Sequence, residues 1–171
     1  DPQEVADRLI KEFLPMAIRR PPSVETQTFF LDRAEKLLDE NVPLDEVLVK
    51  VYKEILCSTW FLFRIEKSGE LDDFALASRL SYLLWNSMPD AELLELAGKG
   101  LLKDDNTLRT QTERMLKDWR SRRFINDFAG QWLNLSEIHE MKPDKLYGEY
   151  DEALAWAMPE ETRRFFVEIL K

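Results

Sequence analysis

The sequence predicts an all-α fold, a helical bundle of about seven to nine helices built from two fused helical modules that share a core. Three observations carry this. Apolar residues recur at helical spacing along most of the chain, alternating β-branched runs are scarce, and glycine occurs only 5 times in 171 residues, too rarely for a turn-rich β architecture. With 44% hydrophobic and 11% aromatic residues, the chain has enough apolar surface to fill an interior.

In the N-terminal module, residues 1–68, the first helix is predicted from Gln3 to Met16, with Val5, Leu9, Phe13 and Met16 on one face. The "RRPP" of Arg19 to Pro22 stops it, because prolines remove donors and restrict the residue before them. Ser23 is placed to cap the second helix, whose face is Phe30, Ala34, Leu37 and Leu38, and Asn41-Val42-Pro43 ends it. The third begins at Leu44 or Asp45, carries Val47, Leu48, Val51 and Ile55, and runs into "CSTWFLF", which predicts a C-terminal half buried on most sides. Cys57 in that run reads as a small buried hydrophobe.

The polar loop "EKSGELDD", Glu66 to Asp73, marks the seam with the C-terminal module, residues 69–171, and neither module is large enough for much independent stability. Asp72 is the expected N-cap of the next helix, "FALASRLSYLLW", with Leu71 and Leu76 as a hydrophobic staple. On that helix Leu76, Leu80, Leu83 and Leu84 share one broad side, while Phe74, Ala77, Ser78, Ser81 and Trp85 share the other. Ala75, Arg79 and Asn86 form the narrow strip left for water, so the helix reads as central to the bundle. Its serines read as close-packing positions whose hydroxyls bond back to the preceding turn.

"SMPDAELLELAGKG" is a stop and restart, with Pro89 in the first turn, Asp90 and Glu92 at the positive helix end, and Gly98 or Gly100 terminating. Asp104 or Asp105 caps a helix with Leu108, Thr112, Met115, Leu116 and Trp119 on its face. Phe124, Ile125, Phe128, Trp132 and Leu133 define a further one. After the irregular "HEMKPDKLYGEYDEA", Asp151 caps the last helix, which Pro159 is expected to kink or break before Phe165, Phe166, Ile169 and Leu170.

The chemistry legible at this level is sparse. A net charge of −9 opposes binding to a phosphate backbone, and "RSRRF" at Arg120 to Phe124 reads as a solvated or ion-paired surface, so no nucleic-acid partner is expected. No run approaches the roughly 18 apolar residues that would span a bilayer. The opening Asp1-Pro2-Gln3 is unlike a signal peptide, and the chain reads as a segment of something longer. One cysteine allows no internal disulfide. One His and one Cys far apart do not make a metal site, and Asp144, Glu149, Asp151 and Glu152 match a calcium loop poorly, so no metal is expected. Covalent haem would need Cys-x-x-Cys-His, a nucleophile would need a base beside it, and "GKG" lacks the rest of a phosphate loop. No catalytic or cofactor-binding residue is therefore assigned. Arg79 alone stands out as a polar residue on a mostly buried helix, expected to form a structural ion pair with Asp127, Glu161 or Glu160.

The segments "FALASRLSYLLWNSMPDAEL", "FAGQWLNL" and "YGEYDEAL" with "ETRRFF" resemble a domain of unknown function found in large planctomycete cytochrome-containing proteins. "AIRRPPSVE" and "ILCSTWFLFRIE" resemble the companion helical domain that precedes it there. The resemblance covers nearly the whole chain. It implies an exported, periplasmic or otherwise extracytoplasmic polypeptide in which a separate c-type cytochrome domain holds the haem and the flanking domains are the partners. It transfers no catalytic residue. The role implied is a non-catalytic scaffold or docking module whose acidic surface could orient a basic redox partner. The alternatives are an oxidative or hydrolytic enzyme on polysaccharide with a site completed by flanking domains, and an interaction module exposing Trp60, Trp132 or Trp156. The resemblance also implies a region downstream of Lys171 and a helix continuing where Pro159 stands.

Overall fold

The computed structural model describes residues 1–63, 69–141, 144, 148 and 150–170; Glu66, Tyr147 and Glu149, which enter the expectations above, lie outside the described residues. The described residues hold nine α-helices, two short 3-10 turns and no strand, an all-α fold. The chain divides into two compact units, Asp1–Ala75 and Leu76–Lys171.

The first unit packs α1 (Pro2–Ile18), α2 (Val24–Asp39) and α3 (Leu44–Leu56) mutually against one another, with the short α4 (Thr59–Leu62) against α1 and α3. Its core is Ala6, Ile10 and Leu14 from α1, Phe30, Ala34 and Leu37 from α2, and Val47, Val51 and Ile55 from α3. The faces of α2 and α3 are those the spacing predicts. That of α1 is not: Val5, Leu9 and Phe13 are only half-buried and Met16 is exposed, while Ala6, Ile10, Leu14 and Ala17 point inward, one residue further along. The helix is apolar on more than one side, and a rotation of one residue brings its smallest side chains to the helix crossing, where backbones approach closest.

Local punctuation follows the side-chain chemistry. Ser23 Oγ accepts the Thr26 N–H at 3.1 Å as N-cap of α2. α1 runs through Pro15 and ends on Arg19, held left-handed at φ 62°, with Arg20 N–H bonding Pro15 O at 3.2 Å. α2 ends the same way on Asn41, also at φ 62°. Arg19 is buried, donating from Nη2 to the Phe61 carbonyl at 2.9 Å with its guanidinium over the Phe61 ring. Cys57 and the aromatic run after it are corrections: Cys57 is exposed, and so are Leu62 and Phe63. α3 stops at Leu56 because Ser58 starts a new turn, donating to Ile55 O at 2.6 Å and accepting from Phe61 N–H, and this redirects the run away from the face that buries Ile55.

α5 (Asp73–Trp85), whose residues from Leu76 on belong to the second unit, begins on Asp72, whose carboxylate takes the Ala75 N–H at 2.7 Å. Ala77, Ser78, Ser81, Leu84 and Trp85 are buried, and Ser81 Oγ bonds back to Ser78 O at 3.1 Å, the close-packing role its spacing suggests. Two α5 positions differ from expectation: Leu83 is exposed and Ala75 is buried. A helix apolar on both sides does not encode which side its neighbours cover.

α6 (Ala91–Gly98) is capped by Asp90, which accepts the Leu93 N–H at 3.0 Å, so Pro89 precedes the helix rather than standing in its first turn. Gly100, at φ 68°, supplies the left-handed residue that ends α6, with Leu101 N–H reaching Leu96 O. α7 (Asp105–Lys117) is capped by Asp104 and leads through the 3-10 turn Trp119–Ser121 into α8 (Arg122–Trp132). A second 3-10 turn, Leu135–Glu140, packs with α8 and α9 (Glu152–Ile169), which Asp151 caps through the Leu154 N–H. α9 is continuous through Pro159, whose ring is fully buried.

Candidate functional site

The densest polar constellation surrounds Trp85, the last residue of α5 and fully buried. Its indole N–H donates to the Met115 carbonyl at 2.9 Å, satisfying the one donor that burial would otherwise strand. Arg120 lies over the ring with Cζ 3.5 Å from the centroid, and Arg114 stands at 5.5 Å. Arg123 donates to the Trp85 carbonyl at 3.0 Å, placing a cation and a donor at the helix C-terminus where carbonyls lack intrahelical partners.

Each of these arginines near the ring is matched by acceptors. Asp118 grips Arg120 through Nε at 2.9 Å and Nη2 at 2.8 Å, and also takes the Arg120 backbone N–H. Asp90 grips Arg114 through Nη1 at 2.8 Å and Nη2 at 3.2 Å, while Gln111 bridges Arg114 Nε to Glu92. Two forked pairs of this geometry fix the guanidinium planes as well as their charge.

The electrostatics point to a permanent ion network. The Arg120 hydrogen bond outweighs partial desolvation and lowers the Asp118 pKa from 3.8 to about 2. The reciprocal bond to Asp118 raises the Arg120 pKa. Burial pushes the Asp90 carboxyl up, but the bonds from Arg114 and the Leu93 N–H together exceed it, and the net pKa lies below the ordinary value. A general acid would need the opposite direction.

A pH prediction follows from Asp118. Its folded-state pKa lies below the unfolded one, so its contribution is complete above the unfolded value and is lost as pH falls toward about 2. With a quarter of its side chain in water (24%), that contribution is up to about 2 kcal/mol. Asp118→Asn is expected to be less stable than the parent by that order near neutrality, with the gap narrowing from about pH 4 downward. Urea unfolding at a series of pH values measures it, and a gap independent of pH would contradict the assignment.

A second feature lies on α8 and α9. Phe124 stacks on Phe128 at 5.4 Å, Phe128 meets Trp132 at 5.5 Å, Trp132 meets Phe166 edge-on at 6.1 Å, and Phe166 meets Phe165 at 6.2 Å. Ile125 and Ala129 are the buried positions of α8, and Phe128, Trp132 and Phe165 are 46%, 64% and 62% exposed. Trp119, expected on the inner face of α7, is exposed as well, because α7 ends at Lys117 and the chain turns at Asp118. Beyond the row, Trp156 is exposed with its ring 4.4 Å from His139.

The residues singled out by sequence fall as follows. Arg79, Asp127, Glu160 and Glu161 all occupy exposed positions. Glu160 bonds Arg164 at 2.9 Å one turn along α9. Within "RSRRF", Arg120 and Arg123 belong to the Trp85 network, a role that spacing did not reveal. The one local signal was Asp118-x-Arg120, an aspartate placed to cap the turn that carries the arginine. Among the described residues no group of three or more His, Cys, Asp or Glu is arranged to hold a metal ion, and no helix is long and apolar enough to cross a membrane.

Residues 71–171 match the family model described as PSD4, "Protein of unknown function (DUF1592)". No curated protein and no solved structure matches the chain.

Proposed function

Because the chain belongs to the DUF1592 family, whose function is unknown, its membership carries no activity, and we propose from its geometry that it is a non-catalytic helical docking module. The observation that carries this is the exposed aromatic row from Phe124 through Trp132 to Phe165. Trp and Phe contribute large, rigid apolar area at protein interfaces, and a contiguous run of them outside the core is the surface such a partner buries. The ion network around Trp85 supports the same reading, since its carboxylates are held ionised by bonded arginines and brace the second unit.

The setting we propose rests on the resemblance of the "FALASRLSYLLWNSMPD" and "FAGQWL" segments: an exported polypeptide whose separate c-type cytochrome domain holds the haem, working in the periplasm or outside the cell. The flanking domains of that polypeptide are then the first partners to test. Titration of this chain with the cytochrome domain, followed by calorimetry, is expected to show binding. Trp132→Ser combined with Phe165→Ser should weaken it at least about tenfold, since interface anchors carry most of the energy. Both side chains are largely exposed, so the circular dichroism spectrum should be unchanged. Undiminished binding by the double variant would remove the aromatic row from the proposal, and absence of binding by the parent would remove the partner.

A further inference from the structure

α9 carries an apolar stripe that stands in solvent. Leu154, Met158, Phe165 and Ile169 are all exposed, and at about 100° per residue the four fall within about 60° of the helix circumference. Ala155 and Pro159, the buried positions of the helix, centre about 90° further round, so the stripe flanks the packed face without belonging to it. It runs for about 22 Å, a length over which two helices pack side by side.

The order of side chains along the stripe identifies its occupant. It reads alike in both directions about a point between Glu161 and Thr162: Leu154 and Ile169 lie equally far from that point, and so do Met158 and Phe165. The charges reverse about the same point, with Glu160 and Glu161 before it and Arg163 and Arg164 after it. Laid antiparallel on a second copy of this helix, Leu154 meets the second copy's Ile169 and Met158 meets its Phe165. The exposed Glu161 then stands within two residues of register, about 3 Å of helix rise, from the second copy's exposed Arg164. Arg164 holds Glu160 through Nε, and a guanidinium has further donors for a second carboxylate. A two-fold axis makes each of these contacts twice, as a closed interface between identical chains requires. A parallel pair would set Glu161 against Glu161 and Arg164 against Arg164, so the charge order selects the antiparallel one.

We propose that the chain forms a homodimer through α9, with the two helices antiparallel about an axis between Glu161 and Thr162. Leu154, Met158, Phe165 and Ile169 are its apolar seam, and Glu161 pairs with the second copy's Arg164. One helix pair is near the roughly 1,000 Å² that a specific interface needs, so the dimer is weak, half-formed on the order of 10–100 µM. The inference does not rest on the docking role of the aromatic row: it leaves Phe124, Phe128 and Trp132 to other domains, and it is measured on this chain alone. The test is sedimentation equilibrium from about 5 to 500 µM at about 150 mM salt, where repulsion between copies of net charge −9 is screened beyond about 8 Å. The mass is expected to rise with concentration from one chain to two, and Met158→Glu should abolish the rise. Arg164→Glu and Glu161→Arg should each weaken association about tenfold, because each sets two like-charge pairs across the axis. Glu161→Arg combined with Arg164→Glu should restore it to within about threefold, a rescue that only self-pairing in this register produces. All three positions are exposed, so the circular dichroism spectrum should be unchanged. A parent that stays monomeric at every concentration, single charge variants that associate like the parent, or a double reversal that fails to restore association would overturn the dimer.

Discussion

Trp85→Ala is expected to lower the unfolding free energy by about 3–5 kcal/mol, the range for truncating a large buried aromatic. Three losses combine. The cavity is that of a fully buried indole, the Met115 carbonyl loses its 2.9 Å donor, and Arg120 loses the ring on which its guanidinium lies. The last matters because Arg120 also anchors Asp118, so the ring and the forked pair are coupled and their contributions do not add simply. Trp85→Phe separates the effects: it keeps an aromatic face for Arg120 and removes the indole donor, while the Met115 carbonyl keeps its bond from the Asp118 N–H at 3.3 Å, so the cost should be that of one hydrogen bond, about 0.5–1.5 kcal/mol. Urea unfolding followed by circular dichroism measures both. A loss below about 1 kcal/mol for the alanine variant would mean the ring is not a keystone of its unit.

Phe30→Ala should have a comparable effect on the first unit, again about 3–5 kcal/mol. Phe30 is 1% exposed at the centre of the three-helix core and meets Phe29 and Trp60 edge-on, with centroids at 5.1 and 5.8 Å. Removing it vacates the core and also withdraws the surface on which Trp60, itself 41% exposed, rests. Trp60 is the single tryptophan of residues 1–75, so its indole N–H resonance, resolved by NMR from the other four, reports locally on this unit. The expected result is a lower denaturation midpoint together with a shifted Trp60 indole resonance under native conditions. Phe30→Leu, closer in volume, should cost less than half as much, at most about 1.5 kcal/mol. Equal effects for Leu and Ala would point to lost aromatic contacts rather than lost volume.

Several elements were legible because their physics is local. Ser23, Asp72, Asp104 and Asp151 cap helices through backbone donors three residues away, and a sequence displays that distance directly. The inner faces of α2 and α3 were equally clear, since each carries one apolar stripe and a polar remainder. α1 and α5 were ambiguous for the opposite reason. Each is apolar over a broad arc, so periodicity marks a helix without saying which part is covered, and α8, with a single apolar stripe, buries only one edge of it. In α8 the small Ala129 and the compact Ile125 took the interior and the larger Phe128 and Trp132 were left outside.

The candidate sites were the least legible part. Arg120 reaches Asp118 within one turn, but Trp85 meets Met115 across 30 residues and Arg123 across 38, separations that no local pattern encodes. Arg79, on the strip of α5 left for water, does stand at an exposed position. By itself the sequence determined that this chain is helical, where its caps fall, and that two helices of the first unit bury the faces they do, because those outcomes depend on neighbours within a turn or two. Only the tertiary structure decided which side of an all-round apolar helix meets protein, which arginines find carboxylates, and which aromatic rings remain in water. Those outcomes depend on what distant segments bring to the same place.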